Sequence, residues 1–169
     1  EYTQAQKAYA ELNKAAELCE KAMDVIYNAW YFAIYDGDDG DVFDFAQTAG
    51  LTYGEISDVL KSRYSSTDSI DYGNFNNTIW IAKEVLTKRG TYSKAQSCID
   101  NAKTYLKEVT DKYADYTAYP ILKRYYSEVS SYLEFAQSPS GVFAQLRTTM
   151  DNYETNIRTY KNDLSFVLE

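Results

Sequence analysis

Apolar residues near the end of the chain recur at steps of three and four without a break. They are Phe143, Leu146, Met150, Tyr153, Ile157, Tyr160, Leu164 and Val167. This spacing puts one apolar side chain per turn on a single face of an α-helix. The pattern predicts a helix over 141–168, preceded by a turn at Ser138-Pro139-Ser140-Gly141. The same heptad face could pair between two chains, so a monomer and a homodimer both stay open.

The start of the chain carries the same kind of stripe. It consists of Ala5, Ala8, Leu12, Ala15, Cys19, Ala22, Ile26, Ala29 and Ala33. The stripe predicts one long helix over 2–35. The run Asp36-Gly37-Asp38-Asp39-Gly40-Asp41 follows it directly, and glycines with turn-forming aspartates predict that the helix ends there. Residues 36–51 are expected to form a connection.

The middle of the chain reads as two shorter helices and one long helix. Thr52 and Glu55 have capping-box spacing, which predicts a helix over 52–64. A second short helix is predicted from residue 74 to a C-terminal cap at Gly90. From Thr91 the apolar stripe continues across Pro120, which removes one backbone hydrogen bond. We predict a single helix over 92–137 kinked at Pro120, with a hairpin at 118–120 as the alternative.

These elements predict an all-α fold, an up-down-up-down four-helix bundle of long helices. In this bundle the second rod is broken into two short helices and the third is kinked at Pro120. Seven glycines and two prolines are too few for the many tight turns of an all-β fold. One domain is expected over 1–169. The bundle places Cys19 and Cys98 too far apart to bond, so both are expected as buried thiols.

Composition removes several function classes. The chain has no histidine, which excludes imidazole-based triads and His-ligated zinc in their usual forms. Its net charge of -8 argues against binding to nucleic acid. No stretch approaches the roughly 18 apolar residues of a membrane span. No cofactor is implied, and the chain is predicted not to be an enzyme.

The acidic run after the first predicted helix is the strongest candidate for a metal site. Calcium needs several converging carboxylate oxygens, which Asp36, Asp38, Asp39 and Asp41 could supply. The run departs from the EF-hand loop, because Asp41 stands where that loop needs glycine and Gln47 where it needs glutamate. A solvated acidic turn is the alternative. A metal-dependent enzyme built on this loop is the weaker extension of the calcium hypothesis.

Aromatic residues suggest two interaction surfaces. The chain has 18 tyrosines, and Tyr113, Tyr116, Tyr119, Tyr125 and Tyr126 crowd around the proline of the third predicted rod. Aromatic side chains with polar edges are common in recognition sites. The alternative is that these tyrosines line the core and turn their hydroxyls to water.

The second candidate surface lies around the acidic run. Trp30, Tyr31 and Tyr35 precede the run, and Phe43 and Phe45 follow its glycines. Together with the aspartates, these rings could receive a cationic or peptide ligand. Capping of the core end by the same rings is the alternative.

The leading functional hypothesis is a non-enzymatic, exported or cell-surface module for protein interaction or scaffolding. The chain opens at Glu1 without a methionine, which fits a mature exported protein or a piece of a longer chain. The bundle brings both termini to one end, which suits tethering through flanking segments to a membrane or a larger protein. The alternative is an extracytoplasmic ligand-sensing bundle, in which a small molecule shifts the helices slightly.

Overall fold

The fold is all-α in the parts of the chain that the structure describes. This computed structural model describes residues 2–112 and 117–168, and within them there are seven α-helices, one 3-10 turn and no strand. The helices are α1 (Tyr2–Tyr35), α2 (Val42–Ala49), α3 (Tyr53–Leu60), α4 (Phe75–Lys88), α5 (Thr91–Lys112), α6 (Ala118–Gln137) and α7 (Phe143–Leu168), and the 3-10 turn covers Thr67–Ser69. The all-α class predicted from the sequence is confirmed. None of the helices in these ranges combines the length and hydrophobicity needed to cross a membrane.

The chain divides into two compact units. Unit 1 consists of Glu1–Glu20, Tyr92–Ser140 and Thr148–Glu169, and unit 2 consists of Lys21–Thr91 and Gly141–Arg147. Helices α1 and α7 each contribute residues to both units. The prediction of a single domain over 1–169 stays a prediction.

In unit 1, α1 packs against several helices through a face of small residues. Ala5, Ala8, Ala15 and Ala16 on this face are fully buried, and small side chains let neighbouring helices approach closely. The hydroxyl of Tyr2 and the amide of Gln6 both donate to the carbonyl of Leu168 in α7. Towards α5 the Asn101 amide donates to Glu11 at 3.1 Å. The long first helix predicted over 2–35 is confirmed as α1, and in this unit it contacts both α5 and α7.

The first half of unit 2 contains a helix that the sequence analysis missed. Residues 36–51 were expected as a connection, whereas α2 forms within them. Asp41 caps α2: its Oδ1 accepts hydrogen bonds from the backbone N–H groups of Phe43 at 2.8 Å and Asp44 at 3.1 Å. The Asp44 carboxylate in turn accepts from the Asp41 N–H at 3.2 Å. Gly50 ends the helix in the left-handed conformation, with φ of 71°.

The two short helices predicted for the second rod are present as α3 and α4. The Thr52 capping box is confirmed, and the helix that it starts is shorter than the predicted 52–64. Beyond Leu60 the chain tightens into a turn, in which the N–H of Arg63 donates to the Leu60 carbonyl at 2.9 Å. Gly90, predicted as a cap, follows α4 with φ of 75°.

Helices α5 and α6 cover most of the third predicted rod. Residues 113–116 between them are outside the described residues, and the predicted continuity of 92–137 falls on these residues. Pro120 lies in the first turn of α6, where backbone N–H groups need no partner within the helix. Within α6, proline therefore removes no helical hydrogen bond.

Candidate functional site

Exposed apolar side chains concentrate in unit 2. In the described residues of that unit, seven large apolar side chains are exposed: Tyr31, Ile34, Tyr35, Phe43, Tyr53, Phe75 and Val142. Scattered single residues of this kind are normal on a protein surface, but a contiguous group marks an interaction site. The question for each of these side chains is therefore whether it touches the others.

Six aromatic residues of unit 2 do form one connected group, which we call the aromatic patch. It comprises Tyr27, Trp30, Tyr31, Tyr35, Phe75 and Phe143. Phe143 is its centre. The Phe143 ring stacks on Tyr27 at 5.1 Å between ring centroids, and it lies 6.0 Å from Trp30 and 6.3 Å from Tyr35. These are the distances at which aromatic pairs attract each other beyond their apolar contact.

The outer rings of the patch are open to solvent. Tyr35 is 63% exposed and Phe75 is 47% exposed, whereas Trp30, on which Phe75 stacks, is 8% exposed. The Phe75 ring stacks on Trp30 at 5.6 Å with an angle of 11° between the ring planes. Tyr31 and Tyr35 lie one turn apart on α1, with 4.7 Å between their centroids. The patch thus has a buried base and an exposed upper layer.

Local sequence explains how three separate helices bring their rings together. Residues 27, 30, 31 and 35 of α1 are three and four positions apart, so they share one face of that helix. Phe143 and Phe75 are each the first residue of their helix. Phe143 follows the turn at Gly141, whose φ of 98° only glycine adopts without strain. Phe75 follows Asn74, whose side chain caps α4 by accepting from the Asn76 N–H.

One arginine of the chain already lies on the patch. The Arg147 guanidinium sits over the ring of Tyr27, 5.6 Å from its centroid, which is within the range of cation–π attraction. Asp24 lies near the same arginine. Partial burial raises the pKa of the Asp24 carboxyl, and the positive charge of Arg147 opposes this change. The patch is therefore chemically able to hold a guanidinium against an aromatic face.

An acidic cleft of about 500 Å³ opens beside the patch. It is lined by Phe32, Tyr35, Asp36, Asp38, Asp39, Gly40, Asp44, Gln47 and Thr48. The fully buried Phe32 ring packs on Phe45 at 5.4 Å and forms the apolar side of the cleft. Tyr35 belongs both to the cleft and to the aromatic patch. An aromatic surface and an acidic surface therefore adjoin at this residue.

The four predicted metal ligands lie in and around this cleft. Asp36, Asp38 and Asp39 line it, whereas Asp41 is engaged in capping α2. In the described residues, which include all four, no three acidic or cysteine side chains form a group that could hold a metal ion. The calcium site stays a prediction from the sequence. One of its four predicted ligands, Asp41, caps α2.

The predicted tyrosine surface is only partly described. Tyr113 and Tyr116 lie outside the described residues. Tyr119 and Tyr126 are half-buried. Tyr125 requires a correction, because it is fully buried in unit 1 and its hydroxyl donates to Asn13 Oδ1 at 2.8 Å. Its ring is core, as the alternative interpretation of these tyrosines held.

The predicted cysteine chemistry is also partly corrected. Both cysteines are free thiols; Cys19 is buried as expected, but Cys98 is half-buried. Burial raises the pKa of the Cys19 thiol to about 12. Burial, together with the neighbouring Glu11 carboxylate, raises the pKa of Cys98.

Sequence reasoning found part of the candidate site and missed three of its members. It singled out Trp30, Tyr31 and Tyr35 at the acidic end of α1. It did not single out Tyr27 or Phe75, and it placed Phe143 only in the apolar stripe of the last predicted helix. For Phe75 and Phe143, the available signal was their position as the first residue of a helix, where a large apolar side chain can leave the core-facing stripe. Phe43 was also named, and it is 62% exposed and stacks on Tyr53 at 5.0 Å.

Comparison with known proteins does not assign the chain to a family. No protein-family model matches the sequence, and neither the curated proteins nor the solved structures contain a significant match to it.

Proposed function

We propose that this chain is a non-enzymatic, exported or cell-surface helical module that binds a protein partner through the aromatic patch. The observation that carries the proposal is the exposed upper layer of the patch, in which Tyr31, Tyr35 and Phe75 are at least 40% exposed. Burying such rings against a partner is favourable because each covers a large apolar area at little cost in side-chain entropy. Aromatic anchors of this kind dominate the binding energy of many interfaces.

The construction of the patch supports binding by a preformed surface. Its exposed rings rest on less exposed ones, because Phe75 stacks on the buried Trp30 and Tyr35 contacts the half-buried Phe143. A side chain that is already held by its neighbours loses less freedom when a partner covers it. Polar groups adjoin the rings in the acidic cleft. An apolar centre with a polar surround is the usual anatomy of a protein interface.

Three groups with shifted pKa values have structural explanations, which supports a non-enzymatic function. The Glu55 carboxylate is held by Arg89, the Tyr125 hydroxyl by Asn13, and the Cys19 thiol is buried in the core. Catalytic sites concentrate perturbed pKa values in one cleft. Glu55 and Arg89 line a surface pocket in which they bind each other, and none of the three groups lines the acidic cleft.

The up-down-up-down bundle of four rods also belongs to this proposal. It is supported by contacts within unit 1. The start of α1 lies against the end of α7, where Tyr2 and Gln6 donate to Leu168. Further along the pair, the Tyr9 hydroxyl donates to the carbonyl of Lys161. An antiparallel first and last helix is what this topology requires.

Site-specific photo-crosslinking tests the proposed function. A photoreactive phenylalanine analogue replaces Tyr35 in one variant and Phe166 in the other, and each variant is expressed in the source cells. Phe166 is the matched control because it is 95% exposed but lies in unit 1. We expect one defined protein to crosslink at Tyr35 and not at Phe166, and the same protein to bind the purified chain. Surface labelling of intact cells checks export in the same samples.

Two results would contradict the proposal. One is a set of crosslinked proteins that is identical at both positions, because random collisions would produce that result. The other is a partner that crosslinks at Tyr35 but binds equally well after Tyr35→Ala and Phe75→Ala are combined. Circular dichroism of the double variant separates loss of binding from loss of folding. Tyr35 is 63% exposed and Phe75 is 47% exposed, so the fold is expected to survive.

A further inference from the structure

The surface around Tyr35 combines aromatic faces with unpaired negative charge. The Tyr35 ring is 6.3 Å from Phe143 in the aromatic patch, and the same side chain lines the acidic cleft. Four carboxylates border that cleft: Asp36, Asp38, Asp39 and Asp44. Within the described part of the chain, none of the four takes part in an ion pair.

The segment of the chain that surrounds this surface carries only negative charges. Between Lys21 and Lys61 the chain carries eight acidic residues and no basic one. This segment forms the second part of α1, the acidic turn, α2 and α3. Like charges on neighbouring elements add to a negative potential, and a cleft with low-dielectric walls concentrates it. A partner that covers this surface is therefore favoured if it is positively charged.

The aromatic patch narrows the choice between the two basic side chains. A guanidinium is planar and weakly hydrated, so it stacks on an aromatic face and can still donate paired hydrogen bonds to a carboxylate. An ammonium is a compact and strongly hydrated charge with no plane to stack. The Arg147 guanidinium lies over the ring of Tyr27, 5.6 Å from its centroid, so a guanidinium is already within cation–π range of the patch. The rings of Tyr31, Tyr35 and Phe75 present further exposed aromatic surface.

We propose that the aromatic patch and the adjoining acidic cleft bind an arginine-rich segment of the partner protein. Arginine side chains stack on the exposed rings, and their guanidinium groups donate to the carboxylates of the cleft. Tyr35 is the residue at which the two kinds of contact meet. The inference rests on the proposed protein-binding function and adds the chemistry of the partner.

Fluorescence anisotropy with labelled peptides tests the inference. The probe is fluorescein-labelled nona-arginine, and nona-lysine is the control of equal charge. We expect saturable binding of nona-arginine to the purified chain and an affinity for nona-lysine that is about tenfold lower, because only arginine can stack. Raising the salt from 20 to 300 mM should weaken both complexes.

Two test variants, each with a matched control variant, show where nona-arginine binds. Tyr35→Ala with Phe75→Ala should weaken nona-arginine binding about tenfold or more, whereas Phe166→Ala should leave it unchanged. Asp38→Asn with Asp39→Asn should weaken binding and reduce its dependence on salt. The control for the charge change is Asp100→Asn with Asp163→Asn, since both residues are exposed and belong to unit 1. That control should bind as the wild type does.

The outcomes separate this inference from the proposed function. If nona-arginine does not bind, or binds no better than nona-lysine, the arginine-rich partner is overturned. If both acidic pairs weaken binding equally, or if the aromatic pair has no effect, the placement at Tyr35 is overturned. In each of these cases, photo-crosslinking at Tyr35 remains an independent test of whether the patch binds a protein. Loss of position-specific crosslinking with intact nona-arginine binding would overturn the proposed function instead.

Discussion

The guanidinium of Arg89 holds the carboxylate of Glu55 with two hydrogen bonds, 2.6 Å from Nε to Oε1 and 2.8 Å from Nη2 to Oε2. Arg89 is the C-terminal cap of α4, and Glu55 is in the first turn of α3. The pair places a positive charge at a helix C-terminus and a negative charge at a helix N-terminus, as the helix dipoles favour. The interaction joins these two short helices of unit 2 side by side.

Replacing Glu55 by glutamine measures how much the ion pair with Arg89 contributes to the free energy of unfolding. Glutamine keeps the shape and can still accept from the Thr52 N–H in the capping box. We expect Glu55→Gln to lower the free energy of unfolding by about 1 kcal/mol at pH 7. The bidentate geometry strengthens the ion pair, whereas its partial exposure to solvent weakens it. Urea denaturation of the two proteins measures the difference.

The pH dependence of that difference checks its cause. The Arg89 guanidinium lowers the pKa of the Glu55 carboxyl to about 2 from an ordinary value of 4.5. A group with a lowered folded-state pKa stabilises the fold above its unfolded pKa and loses this effect as the pH falls through the folded value. The gap between wild type and Glu55→Gln should therefore be full above pH 4.5 and close as the pH falls towards 2. A gap that is constant over this range would contradict the ion-pair explanation.

The helices with strong local signals were predictable from sequence, and the surface between them was not. Periodicity alone located α1 and α7, and residue chemistry located the Thr52 capping box. Helix α2 was missed because its eight residues give too short a period to detect, and its aspartates were read as turn formers. Asp41 has both roles, and only the backbone conformation decides between a turn and an N-cap.

The candidate site was hard to predict because it depends on contacts between distant segments. Phe143 meets Tyr27 across more than a hundred residues, and no local spacing encodes that meeting. Tyr125 was assigned to a surface because tyrosines crowd around Pro120 and aromatic side chains with polar edges are common in recognition sites. Its burial depends on Asn13, which supplies an acceptor for its hydroxyl. Sequence patterns locate elements more readily than they locate the faces that these elements leave exposed.

Gly37 should be important for stability, because the backbone of residues 72–73 lies close to it. A Cβ atom at this position would lie 2.5 Å from Gly73 Cα and 2.5 Å from the Tyr72 carbonyl oxygen. Backbone atoms cannot move aside as a flexible side chain can. We expect Gly37→Ala to lower the unfolding free energy by about 1–3 kcal/mol, the usual cost of overpacking. Thermal unfolding monitored by circular dichroism measures the change.

Gly54 is the matched control for the glycine prediction. It lies within α3, and the nearest atom to its added Cβ is Thr52 Oγ1 at 4.0 Å. Gly54→Ala should raise stability by about 0.5–1 kcal/mol, because alanine loses less backbone freedom on forming a helix. Equal effects of the two substitutions would show that the approach of 72–73 to Gly37 is not tight in solution.

Asp41 distinguishes a helix cap from a calcium ligand. Asp41→Ala should lower stability by about 1 kcal/mol through loss of the cap, and it should do so equally in calcium and in EDTA. Asp41→Asn keeps a capping oxygen and should stay within about 0.5 kcal/mol of the wild type. The melting temperature in both solutions is the measurement. A rise with calcium in the wild type that Asp41→Asn removes would instead support the metal site predicted from the sequence.

The two cysteines should differ in reactivity. Burial raises the pKa of Cys19 to about 12, so at pH 8 only about one in ten thousand of these thiols is ionised. Cys98 is half-buried. With a disulfide reagent at pH 8 we expect Cys98 to react slowly in the folded protein and Cys19 to react only after unfolding in guanidinium chloride. Cys98→Ser should abolish the reaction of the folded protein. A fast reaction of that variant would show that the Cys19 region opens readily.

Tyr125 and Tyr126 provide a test of the corrected core assignment. Tyr125 is fully buried between Tyr9 and Tyr160, with ring centroids 6.4 and 6.0 Å away, and its hydroxyl donates to Asn13. Tyr125→Phe removes that hydrogen bond and should cost about 1 kcal/mol, and Tyr125→Ala should cost about 3–5 kcal/mol by leaving a cavity. Urea denaturation at pH 7 gives both values.

Tyr126→Phe is the control for this pair, because Tyr126 is half-buried and the change removes the same hydroxyl. It should alter stability by less than about 0.5 kcal/mol. The pH adds a second check. Burial raises the pKa of Tyr125 above its ordinary value of 10, so its neutral form stabilises the fold fully below pH 10 and this effect is lost at higher pH. The wild type should therefore lose more stability above pH 10 than Tyr125→Phe does. Equal losses in the two proteins, or equal costs of the substitutions at 125 and 126, would return Tyr125 to the surface.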